Sequence, residues 1–216
     1  MDPLYVLDLR NPSAPTVAGE LKIPGFSSYM HPMDDTHLLT IGRDATDEGQ
    51  VQGLQFQIFD VANPHDPKLV QKTTLGTSWA TSSEALYDHH AFNYFPPSES
   101  LVVPAYSASE GESRMHVVHA AVDDALEEVG ALSQDEVVDS TEDTWEYTYC
   151  SDFKRSVVIG DPDNEDNPQP YHLFALSNIG IVVSQLDDPE TVLASVPFDG
   201  IDPCAGSSWY SNEWGW

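Results

Sequence analysis

Basic residues are scarce in this chain. Eight lysines and arginines stand against 36 aspartates and glutamates, a formal net charge of −28 over 216 residues. A surface with that balance repels phosphate backbones and anionic membranes, which argues against nucleic-acid binding. Cysteine is nearly absent as well. Cys150 and Cys204 are the two, and they fit neither a CxxC nor a zinc-finger spacing. No apolar run approaches the roughly 20 residues that a membrane-spanning helix needs, so no membrane insertion is expected. Sixteen prolines and thirteen glycines punctuate the chain too often for long helices. Familiar catalytic signatures are also missing: no Gly-x-Ser-x-Gly, no His-Glu-x-x-His and no phosphate-cradling glycine loop. Met1-Asp2-Pro3 leads straight into strand material without the regions of a signal peptide. The chain is therefore expected to begin inside a fold, as a C-terminal fragment, a misassigned start or a trimmed chain.

What is present is a core and a repeat. At 40% hydrophobic residues the chain can bury an interior. Leu4-Tyr-Val-Leu-Asp-Leu-Arg-Asn-Pro-Ser-Ala-Pro returns from Phe56 as Phe-Gln-Ile-Phe-Asp-Val-Ala-Asn-Pro-His-Asp-Pro. Each copy reads as an apolar strand, an Asp, one more apolar residue, then Asn-Pro-x-x-Pro. A second strand-like run follows each, Thr16 to Ile23 and Lys68 to Leu75. Weaker copies continue the register at Met115 to Asp124 and at Ile181 to Val192, trailed by Leu126 to Leu132 and Leu193 to Val196. Two more strands fit between copies, including His37 to Gly42, Ala91 to Phe95, Leu101 to Tyr106, Ser156 to Gly160 and Tyr171 to Leu176. The one helix-like stretch, Ala120 to Glu128, fits a strand pair better in this register.

Four strands per unit of about 50 residues is the β-propeller pattern. The expected fold class is all-β: a β-propeller of roughly three to four four-stranded antiparallel blades. Residues 1–200 would hold the last two strands of one blade and about three complete blades, and residues 201–216 an irregular aromatic tail. Because propellers close with four to eight blades, a partial ring is expected, completed by missing N-terminal blades or by oligomerisation. A β-sandwich, the main rival, would not predict the repeat.

Three segments carry a family resemblance: Leu21 to Asp44, Ser83-Glu-Ala-Leu-Tyr-Asp-His-His-Ala-Phe, and Arg155-Ser-Val-Val-Ile-Gly-Asp. Together with the repeat they resemble the prokaryotic secreted β-propeller family distantly related to WD-repeat proteins, over roughly residues 1–200. The resemblance implies a secreted, periplasmic or cell-surface propeller and brings no established catalytic residues. Where such a family is exported, Cys150 and Cys204 are expected to pair, closing a loop whose entropy corresponds to about 4 kcal/mol. The acidic loop 161–170 departs from the family, which has a short turn there.

Register also nominates a site. His31-Pro-Met-Asp34-Asp and Asp88-His89-His90 fall at similar places in successive units, on or near the strands that line a propeller channel. His31, Asp34, Asp88 and His89 are the candidate ligand-binding residues, for a metal or for an anionic or sugar ligand. His31, Asp88 and His89 are candidate metal ligands, with Ca2+ or another divalent ion in view. If His89 and His90 sit on a strand they point to opposite faces, so at most one of them meets a shared ion. The same parity separates His116 from His119. Asp161 and Asp163 open a faintly calcium-like loop, but Asp166 stands where an EF-hand needs glycine and His172 where it needs glutamate. Asp8 and Asp60 read as turn residues that accept from backbone amides, and Arg43 and Arg155 as cations paired with carboxylates between blades.

These observations lead to a non-catalytic exported binding or scaffold module with a protein or cell-surface ligand. A Ca2+-dependent propeller hydrolase or lactonase, using His31, Asp88 and His89, is the first alternative. An acidic structural surface protein bridged by divalent cations is the second.

Overall fold

The computed structural model of the chain describes residues 3–107, 111–134, 137, 151–165 and 167–201. These residues form strands and short 3₁₀ turns only. Strands β1 (Leu4–Asp8) and β2 (Thr16–Leu21) pair as a two-stranded antiparallel sheet. Strands β3 (Phe26–Pro32), β4 (His37–Ala45), β5 (Val51–Asp60) and β6 (Lys68–Leu75) form a four-stranded sheet in chain order. A second such sheet holds β7 (Asn93–Phe95), β8 (Ser100–Ser107), β9 (Glu112–Ala120) and β10 (Leu126–Leu132). A third holds β11 (Phe153–Asp161), β12 (Gln169–Ser177), β13 (Gly180–Gln185) and β14 (Val192–Pro197). Two strands followed by three four-stranded sheets is the blade order expected from the repeat. Ala120 to Glu128 is the end of β9, a turn and the start of β10. The strand expected from Ala91 begins only at Asn93, because a 3₁₀ turn occupies His89–Ala91.

The chain divides into two compact units, Met1–Leu101 with Val118–Glu128 and Val102–Val117 with Val129–Trp216. In the first, the middle strands β4 and β5 carry the core: Leu39, Ile41, Leu54, Phe56, Ile58 and Phe59 are fully buried. Directly paired residues of an antiparallel sheet share a face, so the register Tyr29–Ile41–Phe56–Thr73 marks one face of β3–β6. The other face presents Gln57 and Phe59. With Pro3, Leu4, Phe26 and Met30, these two help to line a cavity of about 80 Å³. Both amide atoms of buried Gln57 lack a protein partner.

The repeated phrase makes the same turn twice. Asp8 Oδ1 accepts from Arg10 N at 2.9 Å and Asp60 Oδ1 from Ala62 N at 2.8 Å. Asn11 and Asn63 accept from the amides of Ser13 and His65, at 3.3 and 3.1 Å. Each Asn carbonyl then closes a turn onto the amide three residues on, at 3.0 Å in both copies. These are the Asx turns for which Asp and Asn are suited.

The turn also joins sheets. At Gly19 on β2, a Cβ would lie 2.3 Å from the Pro64 carbonyl oxygen and 3.0 Å from the Pro67 ring. His65 Nδ1 meets Ala18 O at 2.9 Å beside it. Gln71, at the matching position of β6, donates Nε2 to the carbonyls of Ala121 and Val122 at 3.0 Å and to that of Asp124. In the second unit, Gly130 on β10 brings Pro189 to within 3.3 Å of its Cβ position. Each fourth strand thus seats the turn before the fourth strand of the next sheet. That unit's core packs Val102, Met115, Val117 and Leu132 with Phe153, Leu173, Ala175 and Val182.

Cys150, Cys204, the tail from Asp202 onward and the acidic stretch 135–146, Val137 apart, lie outside the described residues.

Candidate functional site

The connection between β6 and β7 runs from Gly76 to Phe92 and is built from tight turns. Ser83 caps a 3₁₀ turn at Glu84–Leu86, its hydroxyl accepting from Ala85 N. Asp88 caps the next turn, His89–Ala91, its side chain accepting from His90 N at 2.9 Å. Ala85, Leu86 and Ala91 are buried and anchor the connection, while Trp79 and Tyr87 stand out into solvent. A long, anchored connection displaying aromatic side chains is where binding surfaces are commonly placed.

The turn brings two imidazoles together. The His89 and His90 rings lie with centroids 4.0 Å apart, so the strand-based expectation that they face opposite ways does not hold. A 3₁₀ turn advances about 120° per residue rather than 180°, and neighbouring side chains can converge. Asp88, His89 and His90 each offer a donor atom within 4.8 Å of the others. Asp88 Oδ1 and His90 Nδ1 are 2.8 Å apart. A carboxylate can only accept, so in the neutral imidazole this contact places the proton on Nδ1 and leaves Nε2 with its lone pair.

His31 stands nearby but in a different setting. It lies on β3 among rings: Tyr29, Phe92 and Tyr94, with centroids at 6.3, 5.8 and 5.7 Å. Tyr29 also stacks on His89 at 6.1 Å and meets Phe92 edge-on at 5.0 Å. Tyr29 Oη contacts His31 Nδ1 at 3.4 Å. Burial among these rings lowers the His31 pKa, favouring the neutral imidazole. Burial first, and then the charges of Glu99 and Asp34, raise that of Tyr94. His31 and His89 thus both meet the Tyr29 ring, His31 from within β3 and His89 from the turn that precedes β7.

The other candidates have different work. Asp34 Oδ1 accepts from Thr36 N at 2.6 Å and His37 N at 2.8 Å, and Oδ2 meets His37 Nδ1 at 2.8 Å. Its pKa is lowered to about 2, first by the Thr36 amide. It shapes the β3–β4 turn. Asp161 accepts from Asn164 Nδ2 at 3.3 Å in an exposed turn with Asp163. Among the described residues, Asp88, His89 and His90 form the one set of three that could hold a metal, and neither Asp161 nor Asp163 joins such a set. His116 is buried, while His119 Nε2 faces Asp124 at 3.5 Å. Arg43 corrects an expectation: it donates to the carbonyls of Trp79 (3.1 Å) and Thr81, not to a carboxylate, and so pins the start of the 76–92 connection. Arg155 donates to Lys154 O at 2.6 Å.

Sequence reasoning missed Tyr29, Phe92 and Tyr94 and discounted His90. The first three were within reach. Tyr29 and His31, like Phe92 and Tyr94, are two residues apart and therefore share a face in extended chain. The 3₁₀ turn carried no periodic signal, so His90 could not be placed.

The sequence model of the Beta propeller domain family matches residues 1–189. An uncharacterised protein of Methanocaldococcus jannaschii is 41% identical over 106 residues, 49% of this chain and 16% of that protein. An uncharacterised protein of Archaeoglobus fulgidus is 45% identical over 91 residues, 42% of this chain and 13% of its own length. The matched segments are about a sixth or less of the length of these relatives.

Proposed function

The chain belongs to the Beta propeller domain family, and from that premise we propose that it is a non-catalytic binding module, working at the cell surface or outside the cell, that holds a divalent transition-metal ion on the connection between β6 and β7. The observation that carries this reading is the convergence of Asp88, His89 and His90 within 4.8 Å. Two donors on one zinc-sized ion are at most about 4.2 Å apart, from metal–ligand distances near 2.1 Å. Side-chain rotation closes the difference: the His90 side chain, 68% exposed, would exchange its contact with Asp88 Oδ1 for the ion.

The donor set favours a particular class of ion. Calcium takes six to eight oxygens, whereas two imidazoles and a carboxylate suit zinc, copper, nickel or iron. The reading thus moves away from Ca2+. Three protein donors on one exposed turn leave coordination positions open to an outside ligand. Tyr87, beside Asp88 and 86% exposed, and Trp79 on the same connection offer aromatic surface to a protein or cell-surface partner. The cavity lined by Leu4, Gln57 and Phe59, at about 80 Å³, has room for a few waters and is well short of a small-molecule pocket.

The test is calorimetric titration of the chain with Zn2+, Ni2+ and Ca2+ in salt that screens the acidic surface. One Zn2+ or Ni2+ site per chain, lost in the double variant His89→Ala/His90→Ala and indifferent to Ca2+, is the expected result. Zn2+ binding unchanged in that variant would overturn the assignment.

A further inference from the structure

The connection between β6 and β7 lies on a surface short of positive charge. From Thr73 to Ser113 the chain has no lysine or arginine, and the connection itself carries Glu84 and Asp88. The turn between β4 and β5 adds exposed Asp47 and Glu48. That turn lies at the sheet end where the connection starts, since a Cβ on Gly53 would stand 2.0 Å from Gly76 O. The cations that reach this region are consumed: Arg43 on the carbonyls of Trp79 and Thr81, and Lys72 on Asp44 Oδ1 at 2.5 Å. The other lysines and arginines of the chain are likewise held by a neighbouring carboxylate or carbonyl.

Two aromatic side chains stand in that field. Tyr87, next to Asp88, is 86% exposed and Trp79 is 73% exposed. Their backbone is fixed: Arg43 holds Trp79 O, the Glu84–Leu86 turn packs on β3 and β4, and Ala85 and Leu86 are buried. A display fixed in this way loses little freedom on binding. Aromatic faces attract ammonium and guanidinium groups, and the carboxylates around them add to the same preference. An ion held by Asp88, His89 and His90 would keep open positions. A neutral imidazole suits such an ion and is not repelled by this surface, whereas an anionic donor is.

We propose that the occupant of this surface is a basic, histidine-bearing segment of another protein. Its imidazole takes an open position on the ion, and its lysine or arginine side chains lie on Tyr87 and Trp79 among the carboxylates. The inference rests on the metal site proposed above and names the partner of that site. A second copy of this chain does not fit the role, because its net charge is −28 and its own cations are already held. Attraction between opposite charges is screened by salt, so the complex should weaken as salt rises.

The experiment is fluorescence anisotropy of labelled synthetic peptides with the Ni2+-loaded chain, with calorimetry reading Ni2+ uptake in the same samples. One peptide is rich in lysine and arginine around a single histidine. A second has alanine in place of that histidine, and a third has glutamate in place of every lysine and arginine. The first is expected to bind more tightly with Ni2+ than without it and to weaken as salt rises. The second should bind more weakly and gain nothing from Ni2+, and the third should not bind. Trp79→Ala/Tyr87→Ala, at two exposed positions, should weaken the first peptide about 5- to 30-fold, the loss of two cation–π contacts. No Ni2+ uptake by the wild type would defeat the metal site and this proposal with it. Ni2+ uptake with the first two peptides bound alike, with the acidic peptide bound as tightly as the basic one, or with no loss in Trp79→Ala/Tyr87→Ala would overturn the partner and leave the metal site standing.

Discussion

Gly19→Ala adds one methyl at the place where β2 meets the turn of the next sheet. The new Cβ would stand 2.3 Å from the Pro64 carbonyl oxygen and 3.2 Å from the His65 carbonyl carbon. Ordinary contact to backbone needs about 1 Å more, and neither partner is a flexible side-chain end, so the 63–67 turn must withdraw. Withdrawal also strains the His65 Nδ1 to Ala18 O contact at 2.9 Å. Overpacking of this kind costs about 1–3 kcal/mol, and a weakened hydrogen bond adds about 1 kcal/mol. Against that, Gly→Ala reduces unfolded-chain entropy by about 0.4–1 kcal/mol. The net loss is about 1–3.5 kcal/mol, and at about 2–4 °C per kcal/mol for a chain of this size the melt should fall by about 2–14 °C. Gly130→Ala is the control, since its Cβ would meet only the Pro189 ring at 3.3 Å, and it should melt close to the wild type. Scanning calorimetry of the three proteins decides the matter. A Gly19→Ala melt at or above the wild type, or an equal drop in Gly130→Ala, would refute the reasoning.

Three further outcomes follow from named residues. The Asp34 pKa is held at about 2 against an ordinary 3.8. Its contribution is present above pH 3.8 and lost as pH falls through about 2, so Asp34→Asn should flatten the acid limb of urea midpoints measured over that window. His31 is pushed down from 6.5 by burial; below pH 6.5 the unfolded chain takes a proton that the folded chain resists, so stability falls with pH there, and His31→Phe should remove that slope in the same titration. Cys150 and Cys204 are expected to be paired; intact mass should gain two alkyl groups only after reduction, and two groups gained without reductant would reject the bond.

The sheet order was legible because the signal was long and repeated. Asp8 with Asn11 and Asp60 with Asn63 spell the same turn at the same offset from an apolar strand. Two strands per interval then leave one arrangement that pairs neighbours. β3 was less visible, since Phe26 to Pro32 is an edge strand with serines and a proline and lacks the apolar run of β5. The site was half legible. Register expected His31 and His89 at similar places; both meet Tyr29, but His31 lies in β3 and His89 in the turn before β7. Register could not show that Asp34 is consumed by the Thr36 and His37 amides, because a turn's hydrogen bonds depend on backbone directions. Nor could it show that His89 and His90 converge, because a single 3₁₀ turn has no period to read. The exposed face of Tyr5 and Leu7 was invisible for a different reason: the buried copy carries the polar Gln57 where the exposed one carries Tyr5, so apolarity did not tell the covered face from the open one.

Metal binding on the 76–92 connection is the central proposal, and Zn2+ titration of the wild type beside His89→Ala/His90→Ala tests it most directly. One site per chain in the wild type and none in the double variant is the predicted result. Equal binding by the two proteins, or a wild-type site filled by Ca2+ as readily as by Zn2+, would contradict it.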